Sequence, residues 1–307
     1  MPGETAGKPT IAIVGAGRLA TLLAVALHKA GFTLTEIVAR NSPRSRRRAR
    51  ALAAKVGARA VTAHSAALDA TLLWLCVPDG EIRGAASALG VHLATGATVR
   101  KKGSVQEKVR FAFHSSGAQL SRELEPLRKA GAAIASVHPL MTFVAGAHPS
   151  LRGVPFALEG DDAATRIARR IVHELGGESF LLPAARKPAY HAWATLTSPL
   201  LLAFLVTLEE VARVAGLTRQ EARRKSLPII RQTLANYSRL GPAQSFSGPL
   251  VRGDTETVAK HLAILQNHPG AREVYVALAR AALRRLPVKN RDGLQRLLRA
   301  TGKSFRG

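Results

Sequence analysis

A glycine-rich turn between an apolar run and an amphipathic segment constrains this chain more than any other feature. The four residues before the turn, 11–14, are continuously apolar, which is typical of a strand covered on both faces. The segment after it, residues 18–29, has helical periodicity. From residue 15 the chain reads Gly-Ala-Gly-Arg-Leu-Ala, the G-x-G-x-x-A pattern that dinucleotide-binding βαβ units carry in this position.

Each residue type in the pattern has a physical role. Gly15 permits the tight turn, Gly17 leaves room for a pyrophosphate, and Ala20 lets the helix pack closely on the strand. The free N–H groups and the dipole at the helix N-terminus favour an anion there. The residues predicted to bind the pyrophosphate half of a dinucleotide are Gly15, Ala16, Gly17, Arg18 and Leu19.

Hydrophobic periodicity divides the chain in two. Up to Pro183, short apolar strands alternate with helical segments, which indicates an α/β fold with a Rossmann-like, doubly wound parallel sheet over residues 1–183. Only helical periodicity follows, so residues 184–307 are predicted to form an all-α domain. The charge-free apolar stretch 192–208 falls short of the ~20 residues of a membrane span and is predicted to be a buried helix.

The end of the second predicted strand selects the cofactor. An NAD site ends this strand with an acid that binds the ribose hydroxyls, but here Glu36 comes too early and the strand ends in basic and hydroxyl residues. Guanidinium groups suit a phosphate dianion, so the sequence favours NADP(H). The residues predicted near its 2′-phosphate are Arg40, Asn41, Ser42 and Arg44, whereas the arginines at 46–50 more simply form a solvated helix face.

Three further motifs follow predicted strands and should meet at one edge of the sheet, because the carboxyl ends of parallel strands share that edge. The first could lie along the nicotinamide ribose, although its acid serves equally well as a helix N-cap. The other two carry His and Ser, which position or protonate polar substrates but also serve as turn residues. The three motifs are centred on Val77, Pro78 and Asp79, on His114, Ser115 and Ser116, and on His138.

Lys187 and His191 are four residues apart where the helical part begins, so they share one helix face. A desolvated lysine or a histidine can donate a proton as a hydride reaches a carbonyl or imine carbon. The structural alternative is a lysine whose stem covers apolar surface beside Tyr190. No His or Cys cluster has metal-ligand spacing, so no metal is predicted.

The net charge of +25 invites a nucleic-acid interpretation, but four basic stretches hold all of it: 40–59, 100–110, 213–239 and 269–307. Aromatic residues are only 5%, and no helix-turn-helix or zinc pattern accompanies the charge. A nucleic-acid-associated protein is therefore the third of three hypotheses. The single Cys76 fits a reducing cytoplasm, and the polar first residues predict no signal peptide.

Ordered segments over nearly the whole chain resemble bacterial Rossmann-like proteins with a C-terminal helical domain of unassigned function. That group is similar to pyrroline-5-carboxylate reductase, ketopantoate reductase and deazaflavin-dependent NADP oxidoreductases, within the 6-phosphogluconate dehydrogenase-like class. The segments are GAGRLA at Gly15, VPD at Val77, HSSGA at His114, SVHPL at Ser136, GVPFALEG at Gly153, LGG at Leu175, KPAYHA at Lys187, SGPLVRGD at Ser247 and TVAKHL at Thr257.

The resemblance implies an NADP-binding fold, an interdomain cleft and a homodimer built through the helical domain. It places five residues around the cleft: Ser116, His138, Lys187, His191 and Arg252. One departure is Ser198-Pro199, where the family tends to show Ser-Asn, and this puts activity in question while leaving binding intact.

The leading hypothesis is therefore an NADP(H)-dependent oxidoreductase acting on a small carbonyl or imine substrate, and the positive charge of the chain favours an acidic one. In it Lys187 or His191 supplies a proton, and Ser116 and His138 orient the substrate together with His114, Ser115 and Arg252. The alternative, which Pro199 favours, is a non-catalytic NADP-binding sensor or scaffold.

Overall fold

A computed structural model describes residues 7–95, 108–147 and 149–300. The chain divides into two compact units, Met1–Thr195 and Leu196–Gly307. Most of the basic stretch predicted at 100–110 lies outside the described residues.

The first unit is built on one sheet of eight strands: β1 (Ile11–Val14), β2 (Leu34–Ala39), β3 (Arg59–Thr62), β4 (Leu72–Leu75), β5 (Phe111–His114), β6 (Ala133–Pro139), β7 (Pro155–Gly160) and β8 (Glu178–Leu181). Their order in the sheet is β3-β2-β1-β4-β5-β6-β7-β8. From β1, the strand order continues to one side through β2 and β3 and to the other side through β4 and β5. Doubly wound sheets bind ligands at the position between β1 and β4 where the order changes side.

Helices cover both faces of this sheet: α1 (Arg18–Lys29), α2 (Pro43–Val56), α3 (Ile82–Thr95), α4 (Glu125–Lys129) and α5 (Asp162–Glu174). α6 (Lys187–Thr197) follows β8, and its buried residues are Lys187 and Tyr190. Alternate residues of β1 point into two separate cores. Ile11 and Ile13 belong to the core that includes α1, whereas Ala12 and Val14 belong to the core that includes α3. The continuous apolar run thus has the two-sided burial expected of it, and the predicted fold class is confirmed.

Two features of the sheet depart from the prediction. β3 was not expected, because this edge strand is partly exposed and its sequence lacks an apolar pattern. β7 runs antiparallel to β6 in a sheet expected to be parallel, while every other neighbouring pair is parallel. Gly160 ends β7 at a positive φ of 138°, and a Cβ there would overlap the Ile134 carbonyl of β6.

The second unit is helical, as predicted: α7 (Pro199–Val214), α8 (Arg219–Ser245), α9 (Pro249–Arg252), α10 (Thr255–Ile264), α11 (Pro269–Arg285) and α12 (Arg291–Ala300). α8 begins with a capping box, in which Thr218 and Glu221 exchange hydrogen bonds. Asp254 caps α10 through the Thr257 N–H. Non-helical backbone at Gly241 kinks α8.

The apolar stretch 192–208 is not a buried helix, so that prediction is wrong. Non-helical backbone at Ser198 divides the stretch between α6 and α7, and no residue of α7 is buried. Leu202 is 62% exposed. By length and mean hydropathy alone, one helical stretch in the described chain, Ala184–Val214, has the character of a membrane span. The absence of charge in residues 192–208 indicates that their apolar side chains pack against something, but not what they pack against.

Candidate functional site

The turn after β1 has the geometry that its glycines predict. Gly15 has a φ of 112°, and a Cβ there would lie 2.5 Å from the Cys76 carbonyl oxygen, so only glycine fits. A Cβ on Gly17 would meet no atom within 4 Å, which leaves open space above the first turn of α1. No side chain caps this helix, and its first turn holds no acid. The turn can therefore receive a pyrophosphate on free N–H groups.

The residues predicted to receive the 2′-phosphate lie together at the end of β2. Arg40, Asn41, Ser42 and Arg44 are all exposed there. Ser42 caps α2 by accepting the Ser45 N–H at 3.3 Å. The Arg40 guanidinium is already paired, with its Nη1 lying 2.7 Å from Oε1 of Glu81, a residue that the sequence reasoning missed.

The motif after β4 opens a short 3-10 turn, Asp79–Glu81, which follows Pro78. Asp79 is therefore inside the turn and does not act as its N-cap. Its carboxylate lies close enough to raise the pKa values of His114 and His138, although burial outweighs this effect at both. The structure thus brings Asp79 into the electrostatic surroundings of both histidines.

His114 is a structural residue, with no exposed surface. Its Nδ1 accepts the Ser116 N–H at 3.1 Å, so Nε2 carries the proton and donates to the Leu120 carbonyl at 3.0 Å. Desolvation lowers the pKa of His114 to about 4, and the nearby Lys187 contributes in the same direction. The imidazole is therefore neutral at physiological pH and holds the turn that follows β5.

The two serines beside His114 are also engaged in local structure. Ser115 Oγ accepts the indole N–H of Trp74 at 2.9 Å. Ser116 Oγ accepts backbone N–H groups from Ala118 and Gln119, at 3.2 and 2.9 Å. The HSSG segment is thus a closed turn, and its hydroxyls stabilise the backbone.

His138 and Tyr190 form a polar pair at the carboxyl end of β6. A hydrogen bond of 2.6 Å joins His138 Nδ1 to the Tyr190 hydroxyl. Gly117 lies against the imidazole, since a Cβ on Gly117 would come within 2.9 Å of the ring. Desolvation lowers the pKa of His138 to about 4, and burial raises the pKa of Tyr190 to about 12. At neutral pH the pair is an uncharged imidazole beside a protonated phenol.

Lys187 is buried within the first unit, at 2% exposure. Its Nζ donates to Ser136 Oγ at 2.5 Å and lies 3.4 Å from Glu159 Oε2. Glu159 also accepts the Ser121 N–H at 2.8 Å and the Ser121 hydroxyl at 2.7 Å. Desolvation lowers the pKa of Lys187, and the Glu159 carboxylate opposes that shift. The ammonium group is therefore enclosed by its protein partners.

The two predicted proton donors differ in their surroundings. His191, one turn along α6 from Lys187, is exposed. Arg252, predicted to orient the substrate, is exposed on α9 in the second unit.

The sequence did not identify Tyr190, Ser136 and Glu159 as site residues. The acid within the otherwise apolar β7 strand was a usable signal for Glu159.

Two family models match the chain. Residues 5–139 match a Rossmann-like domain, and residues 154–282 match a domain of unknown function, DUF2520. No curated protein sequence matches it.

Solved structures share the fold. A Bacteroides fragilis protein described as an NADP oxidoreductase is 22% identical, with a TM-score of 0.68 over 89% of this chain and 97% of that one. A Thermotoga maritima protein is 24% identical, with a TM-score of 0.66 over 89% and 96%. An imine reductase from Myxococcus stipitatus, solved in complex with NADP+, is 16% identical, with a TM-score of 0.62 over 90% and 94%.

We expect Lys187→Met to lower the free energy of unfolding by about 3 kcal/mol, because it leaves the buried Glu159 carboxylate without its cation. Adding Glu159→Gln should recover part of that loss. Lys260→Met is the matched control, because its ion pair with Glu256 is exposed and should contribute little. Urea denaturation of the four proteins measures the differences, and equal losses at Lys187 and Lys260 would contradict the burial argument.

Stability should fall as the pH drops from about 6.5 to about 4, since the unfolded chain protonates His114 across this range and the folded chain does not. At the acidic end of this range, His114 lowers the free energy of unfolding by about 3 kcal/mol. Unfolding free energies measured across this range should vary less steeply with pH in His114→Gln than in the wild type. Because His138 is present in both proteins, parallel pH profiles would show that His114 does not titrate in this way.

Proposed function

The chain joins a Rossmann-like domain to a DUF2520 domain, and from this premise we propose that it is an NADP(H)-dependent oxidoreductase acting on a small carbonyl or imine substrate. The observation that carries the proposal is the uncapped start of α1, with open space at Gly17 and Arg40 at the end of the adjacent strand. Open N–H groups beside a guanidinium suit a ligand that carries both a pyrophosphate and a further phosphate. The names of the structural relatives, an NADP oxidoreductase and an imine reductase, support the same assignment.

The Gly15 turn and the first turn of α1 would hold the pyrophosphate, and Arg40, Ser42 and Arg44 would hold the 2′-phosphate. When bound, NADPH supplies a hydride. The remaining task is to orient the acceptor and to move a proton, and both fall to polar groups at the same carboxyl edge of the sheet.

The His138–Tyr190 pair is best suited to that task. The phenol remains protonated at neutral pH and can donate to Nδ1, which leaves the imidazole Nε2–H to meet the oxygen or nitrogen of the acceptor. Lys187 takes a different role from the one its sequence position suggested. Enclosed by Ser136 and Glu159, it positions α6 and hence Tyr190, while His191 is exposed one turn along the same helix.

Calorimetry with NADPH and NADH tests the cofactor assignment, and we expect NADPH to bind more tightly. Gly17→Asp should abolish binding, because its carboxylate would occupy the open space and repel the pyrophosphate. Asp at this position is also a good helix N-cap, so thermal stability without cofactor should not fall. No heat from either cofactor would refute the proposal, and tighter binding of NADH would refute the role of Arg40.

For turnover, His138→Gln and Tyr190→Phe should each lower kcat about a hundredfold on a panel of carbonyl and imine substrates, while NADPH binding is kept. A wild type that binds NADPH and reduces none of these substrates would favour the sensor alternative.

We further propose that the second unit forms a homodimer through α7 and α8. Large apolar side chains are exposed on both helices, including Leu202 at 62%, Ile229 at 68% and Leu234 at 57%. α7 and α8 contact each other, and monomeric proteins rarely leave large apolar patches exposed. A second copy offers the same apolar helices, which makes the surface self-complementary under two-fold symmetry.

Sedimentation should show a dimer for the wild type and a monomer for Leu202→Glu with Ile229→Glu. Val144→Glu is the control, because Val144 is 52% exposed but lies in the first unit. A monomeric wild type that floats with lipid vesicles would refute the dimer and assign the surface to a membrane.

A further inference from the structure

The ion pair between Arg40 and Glu81 joins two different strand ends. Arg40 directly follows β2, and Glu81 lies in the short turn after β4. The Glu81 backbone is itself fixed, because its N–H donates to the Pro78 carbonyl at 2.8 Å. Both side chains are partly exposed, at 70% and 39%, so a ligand can reach them.

The sheet order determines what this pair spans. β1 lies between β2 and β4, and Val14 is in register with Val38 on one side and Leu75 on the other. The Gly15 turn continues from the end of β1 between these same neighbours. A side-chain bridge from β2 to the turn after β4 therefore crosses the edge at which that turn opens, next to the candidate phosphate site.

Glu81 changes the charge of that site. An NAD-type ribose site has a carboxylate that accepts hydrogen bonds from the ribose hydroxyls, and none is present at the end of β2. Glu81 brings a carboxylate to this position from another part of the chain, 2.7 Å from the guanidinium expected to bind a phosphate. A phosphate dianion would compete with Glu81 for Arg40 and be repelled by it, whereas a ribose hydroxyl could donate to it.

We infer that Glu81 is a specificity-determining residue that weakens the preference of this site for a 2′-phosphorylated adenosine ribose over an unphosphorylated one. The inference rests on the proposed function, since it assumes that a dinucleotide binds at the Gly15 turn. In it, Arg40 has two anionic partners, the Glu81 carboxylate and the 2′-phosphate, and the carboxylate has an alternative partner in the 2′-hydroxyl. The pair thus sets the degree of discrimination between the two cofactors.

The test uses adenosine fragments, because they isolate this half of the site from the nicotinamide half and from turnover. Calorimetry gives the Kd of 2′,5′-ADP and of ADP for the wild type and for Glu81→Gln. The ratio of the two Kd values should shift about fivefold toward 2′,5′-ADP in the variant. High salt should diminish the shift, since the responsible charges are exposed.

Two further variants complete the design. Arg40→Gln should weaken 2′,5′-ADP about tenfold while leaving ADP unchanged or tighter, because Glu81 is then free to accept the ribose hydroxyl. Glu123→Gln is the matched control: it removes an exposed acid–arginine pair with Arg83, at 2.9 Å, and should leave the ratio unchanged. Melting temperatures show whether each variant is folded.

Each outcome is decisive. A ratio that stays within about twofold of the wild type in Glu81→Gln, or that moves toward ADP, overturns the inference and leaves the proposed function intact. Should Glu81→Gln fail to fold, an Arg40→Gln variant that loses both fragments equally also overturns it. A wild type that binds neither fragment nor NADPH refutes the proposed function, and the inference fails with it.

Discussion

The buried ion pair between Lys187 and Glu159 is the interaction on which the rest of the site depends. Two charges leave water at low cost only when each keeps hydrogen-bonding partners. Here Ser121 donates a hydrogen bond to Glu159, and Ser136 accepts one from Lys187. Because Ser136 also donates to the Ser116 carbonyl at 3.0 Å, one network ties the start of α6 to β6, to β7 and to the turn after β5. The position of Tyr190, one turn further along α6, follows from this anchoring.

The carboxyl edge of the sheet has two chemically different halves. At β1 and β2 the backbone is open and the side chains are cationic, so this half suits phosphate groups. At β5 and β6 the two histidines are neutral, because burial lowers the pKa of both His114 and His138 to about 4. The charges in this half belong to Lys187 and Glu159, which are paired with each other. In the proposed function, the first half binds the phosphates of the cofactor and the second contacts the substrate.

Features that depend on local order were readable from the sequence. The β1–turn–α1 unit rests on contacts between residues near one another in the chain. The fold class followed because alternation of strands and helices is itself a local signal.

Features that depend on distant partners were not readable. The Arg40–Glu81 pair joins residues 41 positions apart, and the Lys187–Glu159 pair joins residues 28 apart. The sequence placed Lys187 on one helix face with His191, because spacing shows which residues share a face but not what lies opposite them. The reversed direction of β7 has the same origin, since an apolar strand fits a sheet in either direction. The prediction for α7 was wrong for the converse reason: its apolar residues were correctly recognised, but nothing within the described part of the chain buries them.

The contact between Gly117 and the imidazole of His138 has a consequence for conformational freedom. The ring lies against bare backbone on one side and is hydrogen-bonded to a phenol through Nδ1 on the other, so its rotamer is fixed. Phe180 and Trp193 pack edge-on against that phenol, each at a centroid distance of 6.0 Å, and prevent it from swinging away. In the proposed function, a substrate would therefore meet a side chain whose rotational entropy has already been lost in folding, and its binding energy would not be used to immobilise the ring.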